Sequence, residues 1–304
     1  MIPSSAVLGI ALGQTESHAI ALCPSPSSFK VSGHHILTAG DEDTLTTTMK
    51  TLKDTLLSRV SWYQRLSPSV VVGVEDDTVI SKTLMAADVD DPLEQEAVVG
   101  QALGMALNME ISGLFFDFTK QHALNHQSGQ AQYQVVACRQ QTLTPILSAL
   151  KDVGLKVSVV DTQQHGLQAV YDALIGHYQP QTSPLWLHLD AGKLTAVRAL
   201  SDGGLYQQSL TVAMPLGGSG SEGEATASSR VLQQHLEHAY QRVESEHAVP
   251  ISTLWLSGHW PSDILCPSSA QRVFIQPGEP FGASSLSPHA CSALGLALRG
   301  ASGS

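Results

Sequence analysis

The chain has 304 residues, 42% of them hydrophobic and 14% charged, with a formal net charge of −11. That length supports one large or two medium domains around a substantial buried core, and the composition is globular rather than disordered. The acidic balance excludes a nucleic-acid binder, which needs clustered Lys and Arg, and disfavours docking on an anionic membrane, but it suits a basic peptide.

In chain order, residues 7–13 and 17–22 are predicted to form a hairpin, and 29–39 a third strand carrying His34 and His35. Leu45, Met49, Leu52, Leu56 and Val60 recur at helical spacing. The β-branched run 69–74 reads as a buried strand, and 78–86 alternates moderately. Asp91-Pro92-Leu93-Glu94-Gln95-Glu96 opens a helix that extends to residue 107, with Asp91 as N-cap and Pro92 in the first helical position. Residues 114–119 and 133–139 read as strands around a polar loop. Leu143, Ile146, Leu147 and Leu150 make a helical face that stops at Gly154. A strand over 156–161 and a helix over 165–178 follow, and the Pro/Gln/Ser-rich 179–184 reads as a linker between halves.

Residues 185–192, 194–200 and 205–212 then form a three-strand meander that turns at Asp202-Gly203-Gly204. The Gly/Ser/Ala-rich 216–229 reads as a flexible loop. Val231, Leu232, His235, Leu236, Tyr240 and Val243 form a helical stripe, 252–256 and 272–276 are strands, and a helix over 289–299 closes the chain. Alternating strands and helices place the chain in the α/β class. Strands 7–13 and 185–192 both end in glycine and are both followed at once by another strand, a duplication that predicts two similar halves facing a cleft. Cys23, Cys138, Cys266 and Cys291 lie far apart with no CxxC pair, which reads as buried thiols in a reducing compartment. With no basic leader and no apolar run near twenty residues, a cytoplasmic protein is expected.

The first turn is Gly9-Ile10-Ala11-Leu12-Gly13-Gln14-Thr15. A nucleotide site needs an acid at Ala11 to organise hydrated Mg²⁺, and alanine coordinates nothing. Its glycines either let backbone N–H groups approach a phosphate or only permit a tight hairpin. The second turn, Leu189-Asp190-Ala191-Gly192-Lys193, keeps its acid, and Asp190 either holds a metal-bound water or accepts backbone hydrogen bonds. Asp161 stands at a strand end, as a ligand-side carboxylate or a helix N-cap. The loop from Gly217 to Glu224 lacks the GK[ST] ending of a phosphate loop and carries two carboxylates, so it reads as a linker. His122 and His126 have metal-pair spacing without a third ligand, and His34 and His35 point to opposite faces of a strand. No G-x-S-x-G elbow is present, and Glu94 and Glu96 are explained by the helix start.

Taken together, these segments resemble the PilM family, the actin-like cytoplasmic components of type IV pilus assembly, and its relatives in MSHA-type pilus biogenesis. Gly9-Ile10-Ala11-Leu12-Gly13 stands where the family has G-I-D-I-G. Asp91-Pro92-Leu93-Glu94-Gln95-Glu96-Ala97 is similar to its acidic helix start, and Gln134-Val135-Val136-Ala137-Cys138-Arg139 to one of its strands. The stretch from Ala149 to Leu155 with Val159-Val160-Asp161, the turn at Leu189-Asp190-Ala191-Gly192, Leu256-Ser257-Gly258-His259, and the tail from Leu294 to Gly300 follow in family order.

The resemblance implies an actin-like fold of duplicated ribonuclease-H-like halves with a small α+β subdomain inserted in the first. It places the first half at 1–77 and 152–180, the insert at 78–151, and the second half at 181–304, with the C-terminal helix packing back on the first. It implies a scaffold that binds the cytoplasmic N-terminal peptide of a PilN-type bitopic inner-membrane protein, reaching the membrane only through that partner and leaving self-association open. If a nucleotide site is retained, the resemblance assigns it to Gly13, Gln14, Asp190, Gly192 and Gly258. Three departures, at Ala11, Gln163 (Glu in many relatives) and His259 (glycine in the family), imply that it is degenerate, with no resident cofactor, weak Mg·ATP binding at most, and no hydrolysis. The alternatives are a nucleotide-dependent ATPase of the same machinery and a cytoplasmic type II secretion component, whose chains usually continue into a transmembrane helix. A small-molecule kinase of the same superfamily is a more distant reading, since no catalytic base or sugar-binding motif is visible.

Overall fold

The first strand, β1 (Val7–Ala11), is buried along its whole length, as a central strand covered on both faces must be. It opens an antiparallel meander with β2 (Glu16–Pro24) and β3 (Phe29–Thr38). Helix α1 (Glu42–Ser58) then carries the chain across to β4 (Ser69–Val74), which pairs parallel to β1. The computed structural model describes residues 5–13, 16–25, 28–38, 42–121, 129–190, 192–201, 203–212, 222–247, 250–260 and 270–302.

After β4 the chain leaves this sheet. Strand β5 (Val79–Ala87), helix α2 (Pro92–Leu107), β6 (Leu114–Gln121) and β7 (Gln130–Arg139) build a separate three-stranded sheet in the order β5-β7-β6, and α3 (Gln140–Asp152) leads back. The local signals for these elements hold. Asp91 accepts the Glu94 N–H at 3.0 Å with Pro92 beside it, and Gly154 ends the turn after α3 at φ +75°. Strand β8 (Val157–Thr162) then rejoins the first sheet parallel to β4, and α4 (Gln163–Tyr178) follows.

The second sheet repeats the first. Strands β9 (Leu185–Asp190), β10 (Lys193–Ala199) and β11 (Leu205–Thr211) form the meander. Helix α5 (Glu222–His247) crosses to β12 (Thr253–Gly258), parallel to β9, and β13 (Gln271–Phe274) and α6 (Cys291–Ser302) complete the repeat. The two sheet orders, β3-β2-β1-β4-β8 and β11-β10-β9-β12-β13, correspond strand for strand. One expectation fails here. Residues 222–229, read as part of a flexible loop, are the first turns of α5. Glutamate and alanine, which recur in 222–229, are residue types that favour a helix. The rest of that loop, with His122, His126, Gln14 and Cys266, lies outside the described residues.

Helices α4 and α6 pack together between the two sheets, and their apolar faces join one core that includes Tyr171, Trp186, Trp255, Leu294 and Leu296. A Cβ added to Gly295 of α6 would lie 1.7 Å from the carbonyl oxygen of Gly166 in α4, so the crossing exists only because both positions are glycine. Arg299, near the end of α6, binds the Asp161 carboxylate at the end of β8. Helices α1 and α3 cover the outer face of the first sheet, and α5 that of the second.

Candidate functional site

The two meanders point the same ends of β1 and β9 into a cleft of about 530 Å³. The first half contributes Ala11, Gly13, Glu16, Asp76 and Gln163, and the second contributes Asp190, Gly192, Lys193 and Thr195. Of the residues expected around a nucleotide, Gly13, Asp190 and Gly192 line this cleft, whereas Gly258 does not and Gln14 is not described.

The turns show where their backbone groups go. The Gly13 N–H donates to the Ser17 hydroxyl at 3.1 Å, and the Leu12 N–H to the Gly73 carbonyl at 2.8 Å. The Gln163 side-chain amide donates to the Leu12 carbonyl. At the second turn, the Gly192 carbonyl accepts the Val212 N–H at 2.6 Å. Gly258 has φ +103°, and a Cβ there would stand 1.9 Å from the Leu189 carbonyl oxygen, which accepts the His259 N–H at 3.1 Å. These glycines serve tight backbone contacts of the turns themselves.

The charges are similarly engaged. Lys193 reaches across the cleft to the Asp76 carboxylate at 2.9 Å, and the other oxygen of Asp76 accepts the Gln164 N–H at 3.2 Å. Gln207 adds a second bridge between the halves, donating to the Gln164 carbonyl at 3.1 Å. Glu16, Glu75, Asp76, Asp77 and Asp190 all line the cleft. Against these carboxylates the lining offers one lysine, a balance that opposes a polyphosphate.

Asp161 is not in the cleft. Its carboxylate accepts the Thr162 N–H at 2.8 Å and binds His165 and Arg299. Burial pushes its pKa up, but the His165 hydrogen bond, the Thr162 N–H and the Arg299 charge outweigh this and hold it below the usual carboxylate value. The N-cap of α4 is Thr162, whose hydroxyl accepts the His165 N–H at 3.2 Å.

Sequence reasoning missed a group of histidines that both halves bring together beside the cleft. His18 on β2 stacks on His34 of β3 and on His289, in the short turn before α6, with ring centroids 5.5 Å apart in each case. His259, just after β12, lies 5.3 Å from His289 by the same measure. Nδ1 of His289 contacts Oδ1 of Asp190. His188 is buried below them on β9, its Nδ1 bonded to the Ser257 hydroxyl at 2.8 Å. Burial holds His188 down to about 4, and burial followed by the charges of neighbouring histidines does the same to His34. No local pattern signals this group, because its members come from β2, β3, β9 and the segments after β12 and before α6.

Two sheets of identical strand order, each feeding its last helix into a shared core below a cleft, are the duplicated actin-like fold. The chain belongs to the family of type IV pilus assembly protein PilM, whose family model matches residues 9–184. Among solved structures it is similar to the PilM–PilN type IV pilus biogenesis complex, with TM-score 0.60, 19% identity, and coverage of 98% of this chain and 99% of that one. It is also similar in fold to a diol dehydratase-reactivating factor in nucleotide-free form, with TM-score 0.51, 8% identity and coverage of 97% and 99%. The cytoplasmic domain of EpsL, an inner-membrane component of the Vibrio cholerae type II secretion system, matches with TM-score 0.49, 12% identity and coverage of 92% and 94%. No curated protein matches the chain in sequence. No helix among the described residues is long and apolar enough to cross a membrane.

Proposed function

We propose that this chain is a non-catalytic cytoplasmic scaffold of type IV-like pilus biogenesis. In this reading it is held peripherally at the inner membrane by binding the cytoplasmic N-terminal peptide of a PilN-type protein. The state of the cleft carries the non-catalytic part. Ala11 offers no ligand to Mg²⁺, the Gly13 N–H is given to Ser17, and Lys193 is given to Asp76. A triphosphate needs those three contributions together, from a carboxylate that organises the metal, free turn amides, and a free cation. The residues present therefore do not fit Mg·ATP.

Family membership and the structural match to a PilM–PilN complex support the peptide partner. The small sheet offers a place for it. Phe116 and Phe118 of β6 pack under α2, so alternation along the strand turns Phe115 and Asp117 to the opposite face. Phe115 is 41% exposed there, and Cys138 and Val136 of β7 lie beside Phe115 and Asp117 in register. An exposed aromatic ring two residues from an acid, on a chain of net charge −11, suits a basic peptide with apolar flanks.

The alternative with a specific observation behind it is a working ATPase, because Asp190 and Gly192 still line the cleft. Titration of the purified chain with Mg·ATP separates the two. Affinity in the millimolar range or weaker supports the scaffold, whereas Mg²⁺-dependent turnover abolished by Asp190→Ala replaces it with the enzyme.

A further inference from the structure

We propose that Asp190, His259 and His289 form a binding site for a borderline divalent transition cation of the Zn²⁺ type, at the mouth of the cleft. The inference is independent of the peptide-binding reading, and it assigns a role to side chains that reading leaves unused.

The three residues bring one carboxylate oxygen and two imidazole nitrogens within 4.8 Å of one another. Bound zinc holds such atoms about 2.0–2.2 Å from the ion, so side-chain rotations of modest size close the set around a common centre. Two imidazoles and one carboxylate are a donor set for zinc and its transition-metal neighbours, whereas Mg²⁺ prefers oxygen ligands throughout. The site is built on rigid supports. Asp190 ends a central strand, His259 follows the Gly258 turn locked against Leu189, and His289 lies in the short turn Pro288–Ala290 that leads into α6.

The simpler account is an ion pair of protonated His289 with Asp190. It leaves two observations unexplained. Oδ1 of Asp190 is buried and makes no hydrogen bond, although Nδ1 of His289 touches it, so the contact lacks the geometry of a good pair. In addition, His259 is exposed and stands against His289, where an ion pair gives its imidazole no task. A cation between the three nitrogen and oxygen atoms accounts for both. With three protein ligands, a fourth coordination position is left for water. His18 stacks on His289 with the ring centroids 5.5 Å apart, a contact that restricts the plane of that ring.

The test uses the full, untagged chain, stripped with chelator and titrated with ZnCl₂, CoCl₂ and MgCl₂ in turn. The expected result is one equivalent of Zn²⁺ bound, a Co²⁺ absorption spectrum of low-coordinate type, no Mg²⁺ binding, and a higher melting temperature with Zn²⁺. His259→Ala and His289→Ala should each weaken Zn²⁺ by about 100-fold or more, at or beyond the loss seen for outer-shell partners. His177→Ala and the paired His122→Ala, His126→Ala variant should bind as the parent does. Because His259 is exposed, its substitution leaves the fold intact and keeps the test decisive even if the His289 variant misfolds. Absence of stoichiometric Zn²⁺ binding, or binding that survives His259→Ala, overturns the proposal. Failure here leaves the Mg·ATP and peptide titrations unaffected, so the two readings fall separately.

Discussion

Substituting alanine at Gly295 tests the packing that joins the two halves. The new Cβ would lie 1.7 Å from the Gly166 carbonyl oxygen, 2.3 Å from its carbon and 2.8 Å from its Cα, all of them backbone atoms in the first turn of α4. Ordinary contact requires roughly twice the shortest of these distances, so α4 and α6 must move apart by about 1.5 Å. A shift of that size loosens the contacts of Leu294, Leu296 and Tyr171 along the shared core. Overpacking of this kind costs about 1–3 kcal/mol. Because the obstruction is backbone rather than a flexible side chain, a loss of about 3 kcal/mol is expected, or a melting temperature lower by about 5–10 °C. Gly176, in the same helix α4, supplies the control. It is exposed with nothing within 4 Å of an added Cβ, so Gly176→Ala should stabilise by about 0.5–1 kcal/mol through helix propensity alone. Thermal and urea unfolding of the two variants measure both effects. A Gly295→Ala protein that melts within about 1 °C of the parent would refute the reasoning.

Three further outcomes follow from the site and its surroundings. Phe115→Asp should lower the melting temperature by only a few degrees, roughly 1 kcal/mol, because the ring is 41% exposed. It should weaken PilN-type peptide binding by at least about tenfold, or 1.4 kcal/mol, in calorimetry. His34 is held down to about 4 from an ordinary 6.5, so the stability its neutral form contributes is present above pH 6.5 and is lost as pH falls towards 4. After allowance for partial solvent screening, the loss is roughly 2 kcal/mol. A His34→Gln variant should therefore show a flatter fall in urea stability across that window, and parallel profiles would count against the burial account. Asp161→Ala should cost about 2–3 kcal/mol in urea unfolding by releasing Arg299, His165 and the Thr162 N–H together.

Much of the fold is legible in the sequence because its signals are local. The glycine-ended strands at 7–13 and 185–192, the Asp91-Pro92 helix start and the stop at Gly154 each need only a few neighbouring residues to be recognised. The start of α5 was hidden because the glycines and serines of 216–229 dominate the reading of a stretch whose glutamates and alanines favour a helix. The site is different. Whether Gly13 presents its N–H to a phosphate or to Ser17 depends on where a side chain four residues later turns. Even more clearly, His18, His259 and His289 share no motif and meet only after β2, β12 and the turn before α6 have been brought to one end of the cleft.

The most direct test of the scaffold reading is calorimetric titration of the purified chain with the cytoplasmic N-terminal peptide of the PilN-type protein, run with and without Mg·ATP. The account predicts saturable 1:1 peptide binding whose affinity is the same in both runs. No peptide binding, or binding that requires Mg·ATP, would contradict it.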